Sequence, residues 1–254
     1  MRRAMTKTMI AAVCACATVA TVAACGGSDP SAVVARVGPY AVTKELLNEW
    51  MTEKIGEDYF QVASHQVPTG LVSEPADYPT CVSTMRTLLA SLKKPSESGA
   101  ELTHRCHELY RALKEQALEY LVSSYWSFNF YKRYGIDIAP AQVQHALDQI
   151  KPSWYPAPGE FQQVLASHRR TLAQELLIVK NDVLASRVKE RLFSQGPRVV
   201  STLERAVESA QTTEGAVCSP GYVVLYCRGY RQSPTSVARS ELGSPAILIE
   251  EVVR

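Results

Sequence analysis

Residues 113–135 read LKEQALEYLVSSYWSFNFYKRYG and predict one long helix around which the chain packs. At 100° per residue, its apolar side chains fall on two different sides. The face predicted to be the core contains Leu113, Ala117, Tyr120, Leu121, Ser124, Phe128 and Tyr131. The opposite face contains Val122, Trp126 and Phe130, with Tyr134 at its edge. Gly135 is a natural stop, because glycine adopts the left-handed cap conformation without strain.

The second face has two interpretations. In the first, which we favour, the helix is central and packs on both sides, with the C-terminal strand as the second cover. In the second, the face lines an apolar cleft for unfolded polypeptide, because exposed aromatic patches of this size rarely lack a partner. The peptide-binding hypothesis rests on Val122, Trp126, Phe130 and Tyr134. Secondary candidates for contact are Trp50, Met51, Met85 and Trp154.

The segments before this helix predict a short strand and further helices. Residues 33–37 predict a strand, turned by Gly38 and Pro39. Thr43 is a favourable N-cap for the helix that follows, since its hydroxyl can accept hydrogen bonds from free amides of the first turn. A proline-rich loop, a helix over 81–93 and a polar break come next, and the long helix is predicted to begin near residue 100.

The segments after residue 135 predict more helices and a small β element. The predicted helices cover 140–154, 160–166, 171–193 and 199–210, and the predicted β segments cover 222–227 and 246–253. Thr171 and Gln174 have capping-box spacing at the start of the third of these helices. Its apolar stripe contains Leu172, Leu176, Val179 and Val183. The predicted fold is mainly α, with a helical domain over 33–195 and a C-terminal helix plus β segment over 196–254 that packs on it.

The N-terminus predicts export. Arg2, Arg3 and Lys7 precede an apolar stretch that is too short for an ordinary spanning helix, which needs about 20 residues. The stretch ends in Val22-Ala23-Ala24-Cys25, which resembles a bacterial lipobox. We therefore expect residues 1–24 to be removed as a signal peptide by the general secretory or the twin-arginine route. Cys25 would then carry lipid on the extracytoplasmic face of the cell membrane, with residues 25–32 as a tether.

The charge of the exported part argues against nucleic acid as a partner. The whole chain has 27 Lys and Arg, and removal of three with the signal leaves 24 against 25 Asp and Glu. The net charge is therefore close to −1, and no basic run appears. Binding to duplex nucleic acid requires a basic face that displaces counterions.

Four cysteines remain in the exported part after Cys14 and Cys16 leave and Cys25 takes lipid. They are Cys81, Cys106, Cys218 and Cys227. Outside the cytoplasm, four cysteines indicate two disulfides, and three pairings exist. The simplest pairing closes local loops, joining Cys81 to Cys106 and Cys218 to Cys227. Each bridge would contribute about 2–4 kcal/mol by restricting the unfolded chain.

No catalytic residue, cofactor or metal site is predicted. His104 and His107 share a helical face but Cys106 does not, and no second ligand pair has zinc-like spacing. No nucleophile stands beside a base, and no glycine-rich phosphate loop is present. Acidic pairs such as Glu250 with Glu251 are ordinary surface charge.

The order of elements resembles that of SurA/PrsA-type foldases over residues 33–195. The phrase VARVGPYAVTK at 34–44, followed by a helix, is similar to the opening of that family. The long helix with its Gly135-Ile136-Asp137-Ile138 exit, the short helix with Phe161 and the closing helix from Thr171 follow in family order. Gly38-Pro39 replaces the family's Asn-Gly turn, and Ala139 stands where Ser or Thr usually caps the helix.

The resemblance implies the chaperone part of these proteins without the isomerase part. Isomerase members insert a parvulin domain whose site uses histidines beside a Cys or Asp. Here 59 residues follow Gln195, and the last histidine is His168. We therefore expect a tethered, non-catalytic chaperone that binds unfolded secreted polypeptides. The alternatives are an envelope lipoprotein with one fixed protein partner and a diverged prolyl isomerase.

Overall fold

The computed structural model describes residues 32–63, 68–195, 202, 205–207, 209–210 and 213–230. In this part the chain is mainly helical with a small sheet, as predicted. The elements are β1 Val33–Val37, β2 Tyr40–Thr43, α1 Lys44–Ala63, α2 Tyr78–Ser91, α3 Gly99–Lys132, α4 Pro140–Trp154, α5 Glu160–Ser167, α6 Leu172–Gln195 and β3 Val217–Cys218. The predicted signal peptide, Cys25, the tether before residue 32 and the predicted strand at 246–253 lie outside the described residues.

The sheet joins the two ends of the described chain. Its three strands are antiparallel in the order β2-β1-β3, and Arg36 of β1 lies opposite Val217 of β3. The hairpin turn places Gly38 at φ 53°, against the side chain of Asn129 on α3. A Cβ at this glycine would lie 2.9 Å from the Asn129 amide oxygen. The hairpin therefore packs closely on the central helix.

The prediction of a strand over residues 222–227 is wrong. These residues form a turn-rich loop, and the strand described in this part of the chain is β3, which precedes the loop. The Cα atoms of Cys218 and Cys227 are 5.8 Å apart and joined by a disulfide. Ten residues that return to their starting point cannot run as one extended strand, because a strand advances about 3.3 Å per residue.

Local signals set the helix ends as predicted. The Thr43 hydroxyl accepts a hydrogen bond from the Leu46 amide at 3.1 Å and caps α1. Thr171 and Gln174 exchange the two bonds of a capping box at the start of α6, at 2.8 and 3.2 Å. Gly135 has a φ of 76° just after α3. Local capping signals in the sequence therefore located these three helix ends.

The disulfide between Cys81 and Cys106 joins α2 to α3, and both cysteines are buried. Their Cα atoms are 6.0 Å apart. This bridge and that of Cys218 with Cys227 are the predicted local pairing, so that prediction is confirmed. α2 therefore remains attached to the central helix across the polar break that separates them.

A buried ion cluster fixes α1 against the turn before α6. The Arg170 guanidinium donates to Glu53 at 2.6 Å and to Glu175 at 2.9 Å, and Glu53 is fully buried. Burial alone would lower the pKa of Arg170, but the two carboxylates raise it above its ordinary value. Beside the cluster, the carbonyl oxygen of His168 lies 2.2 Å from where a Cβ on Gly56 would stand. These contacts set where α6 begins.

α3 passes through two hydrophobic clusters. One lies among the sheet, α1, α2, the disulfide-closed segment 218–227 and one side of α3 along its length, and includes Trp50, Met51, Leu113, Leu121 and Trp126. The other lies among α4, α5, α6 and the end of α3 and includes Phe128, Val143, Leu147, Phe161 and Leu184. The C-terminal half of α3 therefore faces different neighbours on its different sides.

Candidate binding groove beside a sealed aromatic face

The aromatic face of α3 that the sequence offered for peptide binding is buried. Val122 is fully buried, Trp126 is 4% exposed and Phe130 is 2% exposed, whereas Tyr134 is 46% exposed. The hypothesis of an open cleft on these residues is therefore wrong, and packing on both sides of the helix is confirmed. The physical reason is that a second segment of the chain covers this face.

The cover is the disulfide loop 218–227. The ring of Tyr226 lies 5.1 Å from the ring of Trp126, which itself stacks on Phe130 at 4.9 Å. Val224 and Cys227 of the loop are buried in the same hydrophobic cluster. The sequence predicts a C-terminal strand as the cover of this face, whereas the covering segment is a loop closed by a disulfide.

Polar contacts hold the loop in place. The Tyr222 hydroxyl donates to one carboxylate oxygen of Glu74 at 2.7 Å, and the Tyr110 hydroxyl of α3 donates to the other at 2.5 Å. Burial is the larger cause and the hydrogen bonds to Glu74 the smaller one, and together they raise the pKa of Tyr110 and of Tyr222 well above the ordinary value for tyrosine. The Lys114 ammonium lies over both rings and donates to the Gly221 carbonyl at 3.1 Å. Glu74 therefore links the loop to the central helix.

Most of the predicted core face of α3 is buried as predicted, and an open apolar groove lies at its C-terminal end. It forms between the end of α3 and α6 and has a volume of about 590 Å³. Its lining residues are Ser127, Tyr131, Asn181, Leu184, Ala185, Val188, Lys189 and Leu192. The volume falls within the range of about 300–1,000 Å³ that is typical of ligand sites in proteins. This groove is the candidate binding site.

Asn181 fixes the closed end of the groove. Its amide donates to the hydroxyls of Tyr120 and Ser124 of α3, both at 2.9 Å. Burial raises the pKa of Tyr120 to about 12, so its hydroxyl stays protonated over the physiological pH range. Beyond this anchor, the lining residues advance along both helices towards their C-termini, and small Ser127 leaves space between them.

A second opening lies on the other side of α6. It has a volume of about 500 Å³ and is lined by Ile138, Pro140, Ala141, Val143, Gln144, Ala173, Leu176, Leu177 and Lys180. The Lys180 ammonium lies 4.2 Å from the centre of the Phe128 ring, and burial lowers its pKa. This opening therefore combines an apolar floor with one cation held over an aromatic ring.

The sequence contains a signal for the main groove. Leu184, Val188 and Leu192 recur every four residues on α6 and form a stripe next to the predicted one. Within the predicted stripe, Val179 is buried, but Leu172 is 48% exposed. In the second stripe, Leu184 is buried, whereas Val188 and Leu192 are half-buried at the groove.

The described residues offer little reactive chemistry. All four of their cysteines are in disulfides, and they contain no group of three or more His, Cys, Asp or Glu side chains placed to hold a metal ion. No helix in this part of the chain is both long and apolar enough to cross a bilayer. Comparisons with protein-family profiles, curated proteins and solved structures found no match.

Proposed function

We propose that this protein is a membrane-tethered, extracytoplasmic chaperone that binds apolar segments of unfolded secreted polypeptides without catalysis. The observation that carries the proposal is the open groove between α3 and α6. Its walls present Tyr131, Val188 and Leu192, which are half-buried in the chain alone. A client side chain that enters would remove further apolar surface from water, at about 25 cal/mol per Å².

The shape and chemistry of the groove favour a variable apolar client. The lining combines aliphatic and aromatic groups with few polar ones, so it offers contact area without a fixed pattern of hydrogen bonds. Such a surface accepts different apolar side chains, because the hydrophobic effect is non-directional. The proposal thus keeps the chaperone part of the resemblance to SurA/PrsA-type foldases and moves the binding surface from the Trp126 face to the groove.

The expected anchor supplies the location. Lipidation at Cys25 would hold the protein on the extracytoplasmic face of the membrane, where secreted chains emerge unfolded. A tether restricts the protein to that surface and raises its effective concentration near emerging chains. The two disulfides accord with an oxidising location of this kind.

Aggregation of a denatured reporter protein tests the proposal. The mature chain from Gly26 onward is mixed with a chemically denatured protein that aggregates on dilution, and light scattering is followed. We expect suppression by a severalfold excess of the chain. Val188→Glu places a carboxylate in the apolar groove, so this variant should lose most of the suppression.

The matched control is Leu172→Glu, which introduces the same charge at an exposed position of the same helix. This variant should suppress aggregation as the unmodified chain does. Unchanged scattering with excess unmodified chain would reject the holding role. Equal suppression by Val188→Glu would reject the groove as the site, and recovery of one stoichiometric partner in a pull-down would favour a fixed-partner lipoprotein.

A further inference from the structure

Exposed apolar side chains are concentrated on the paired strands β1 and β3 and on the disulfide loop. Of the seven large apolar side chains that are exposed among the described residues, four lie on β1, on β3 or in the disulfide loop. They are Val33 at 39%, Val217 at 59%, Val223 at 47% and Leu225 at 41% exposed. We call these four residues the apolar loop face. Single exposed apolar residues are ordinary, but a concentration of them marks an interaction surface.

The framework under the apolar loop face is rigid. Ser219 donates its amide to the Val34 carbonyl at 2.8 Å and its hydroxyl to the Val33 carbonyl at 3.3 Å. Ala216 bonds to the backbone on both sides of Cys227, at 2.6 and 2.8 Å. The loop alternates exposed Val223 and Leu225 with the buried side chain of Val224. Docking of this face on a partner would therefore cost little conformational entropy.

The charge around the apolar loop face is positive. Arg36 is exposed and lies directly opposite Val217 in the sheet. Arg228 is also exposed, and its Nε donates to the Gly215 carbonyl at 2.9 Å. No Asp or Glu occurs between residues 215 and 230. Apolar side chains next to two exposed arginines match the interface of a bilayer with anionic headgroups.

The expected tether keeps this face near the membrane. Val33, the first residue of β1, is the eighth residue after Cys25. A fully extended chain spans at most about 3.6 Å per residue, so Val33 would lie within about 30 Å of a lipidated Cys25. The apolar loop face includes Val33 and residues on or beside the strand that pairs with β1. This step rests on the membrane anchoring in the proposed function.

We propose that the apolar loop face, with Arg36 and Arg228, docks on the surface of an anionic bilayer. Val33, Val217, Val223 and Leu225 would enter the headgroup boundary, and the two arginines would lie among the phosphates. The helical domain then has a fixed orientation at the membrane, and is not free to rotate on its tether.

Hydrogen–deuterium exchange on vesicles tests the docking. The mature chain from Cys25 is coupled through this thiol to a maleimide phospholipid in vesicles of phosphatidylglycerol and phosphatidylethanolamine. The other four cysteines are in disulfides, so coupling is selective. We expect amides in residues 217–228 to exchange about tenfold more slowly on vesicles than in solution. This slowing corresponds to a docked state that is populated about ten times more than the undocked state. Vesicles of phosphatidylcholine alone should give less slowing.

The double variant Val223→Gln with Leu225→Gln should lose the slowing, and Leu172→Gln should keep it, since Leu172 is equally exposed on another element. Exchange around Trp126 should stay unchanged in both, which shows that the fold is intact. Equal exchange on vesicles and in solution, or slowing retained by the double variant, would overturn the inference. Because the lipid is coupled chemically, the result does not depend on whether Cys25 is lipidated in the cell or on whether the groove binds polypeptide. Mass spectrometry of the N-terminal peptide tests lipidation in the cell separately.

Discussion

The two apolar faces of α3 end in different surroundings. Val122, Trp126 and Phe130 lie under the disulfide loop, whereas Ser127 and Tyr131 border an open groove against α6. By hydrophobicity alone, the first face is the more aromatic and the better candidate for a partner. Within the described residues, segment 218–227 covers this first face, whereas the second face is buried along most of its length and borders the groove near its C-terminal end.

This difference shows that the position of a partner segment, more than apolar content, determines what stays open. The loop reaches the Trp126 face because β3 pairs with β1 and because Glu74 binds a tyrosine from each side. At the other face, Asn181 binds α6 to α3 at one end of the groove, and Val179 and Leu184 of α6 pack in one cluster with Phe128 of α3. The following variants test whether residues under the disulfide loop contribute more to the free energy of unfolding than residues that line the groove.

The largest effect is expected from Trp126→Ala. The change leaves a cavity between α3 and the disulfide loop, so it should lower the free energy of unfolding by about 3–5 kcal/mol. Chemical denaturation of the mature chain measures the loss. Trp154→Ala is the matched control, because this tryptophan is 60% exposed, and it should cost less than about 1 kcal/mol. Equal losses in the two variants would refute the burial contrast.

Removal of the loop disulfide should have the next largest effect. Cys218→Ser with Cys227→Ser should lower the free energy of unfolding by about 2–3 kcal/mol, because it releases a short closed loop. It should also speed amide exchange around Trp126. Cys81→Ser with Cys106→Ser should cost a similar amount but leave exchange around Trp126 unchanged. Faster exchange there in both variants would show that the loop is not the specific cover.

Tyr222→Phe should have a smaller effect. It removes one of the two hydroxyls that donate to Glu74, so we expect a loss of about 1–2 kcal/mol in the free energy of unfolding. Tyr134→Phe is the control, since its ring is 46% exposed. A neutral result for Tyr222→Phe would mean that apolar contacts alone hold the loop.

The smallest effect on stability is expected in the groove. Val188→Ser should change the free energy of unfolding by less than about 1 kcal/mol, since this side chain is only half-buried. Val179→Ser on the same helix, where the valine is 3% exposed, should cost about 1–3 kcal/mol. If Val188→Ser were as costly as Val179→Ser, the groove would be part of the folded core.

Much of the fold followed from local chemistry. Thr43, Thr171 and Gly135 marked helix ends because caps depend on a few neighbouring atoms. The pairing of the cysteines followed from loop length. The assignment failed at 222–227, where apolar alternation is typical of a strand but the disulfide closes the segment into a loop.

The candidate site was less accessible from sequence. The periodicity of the sequence predicted the two apolar faces of α3. It did not predict which face another segment covers, because the cover depends on contacts between residues more than 90 positions apart, such as Trp126 with Tyr226. It also gave no measure of the space between two helices. The groove depends on Asn181 reaching the hydroxyls of Tyr120 and Ser124, and such long-range polar contacts leave no local pattern.

Gly56 has a consequence for every surface of α6. The His168 carbonyl occupies the place where any other residue would carry its first side-chain carbon. Even alanine at this position therefore requires the α5–α6 turn to move outwards. The start of α6 would be displaced with the turn. The close approach of α1 to the turn before α6 therefore depends on the absence of a single methyl group at residue 56.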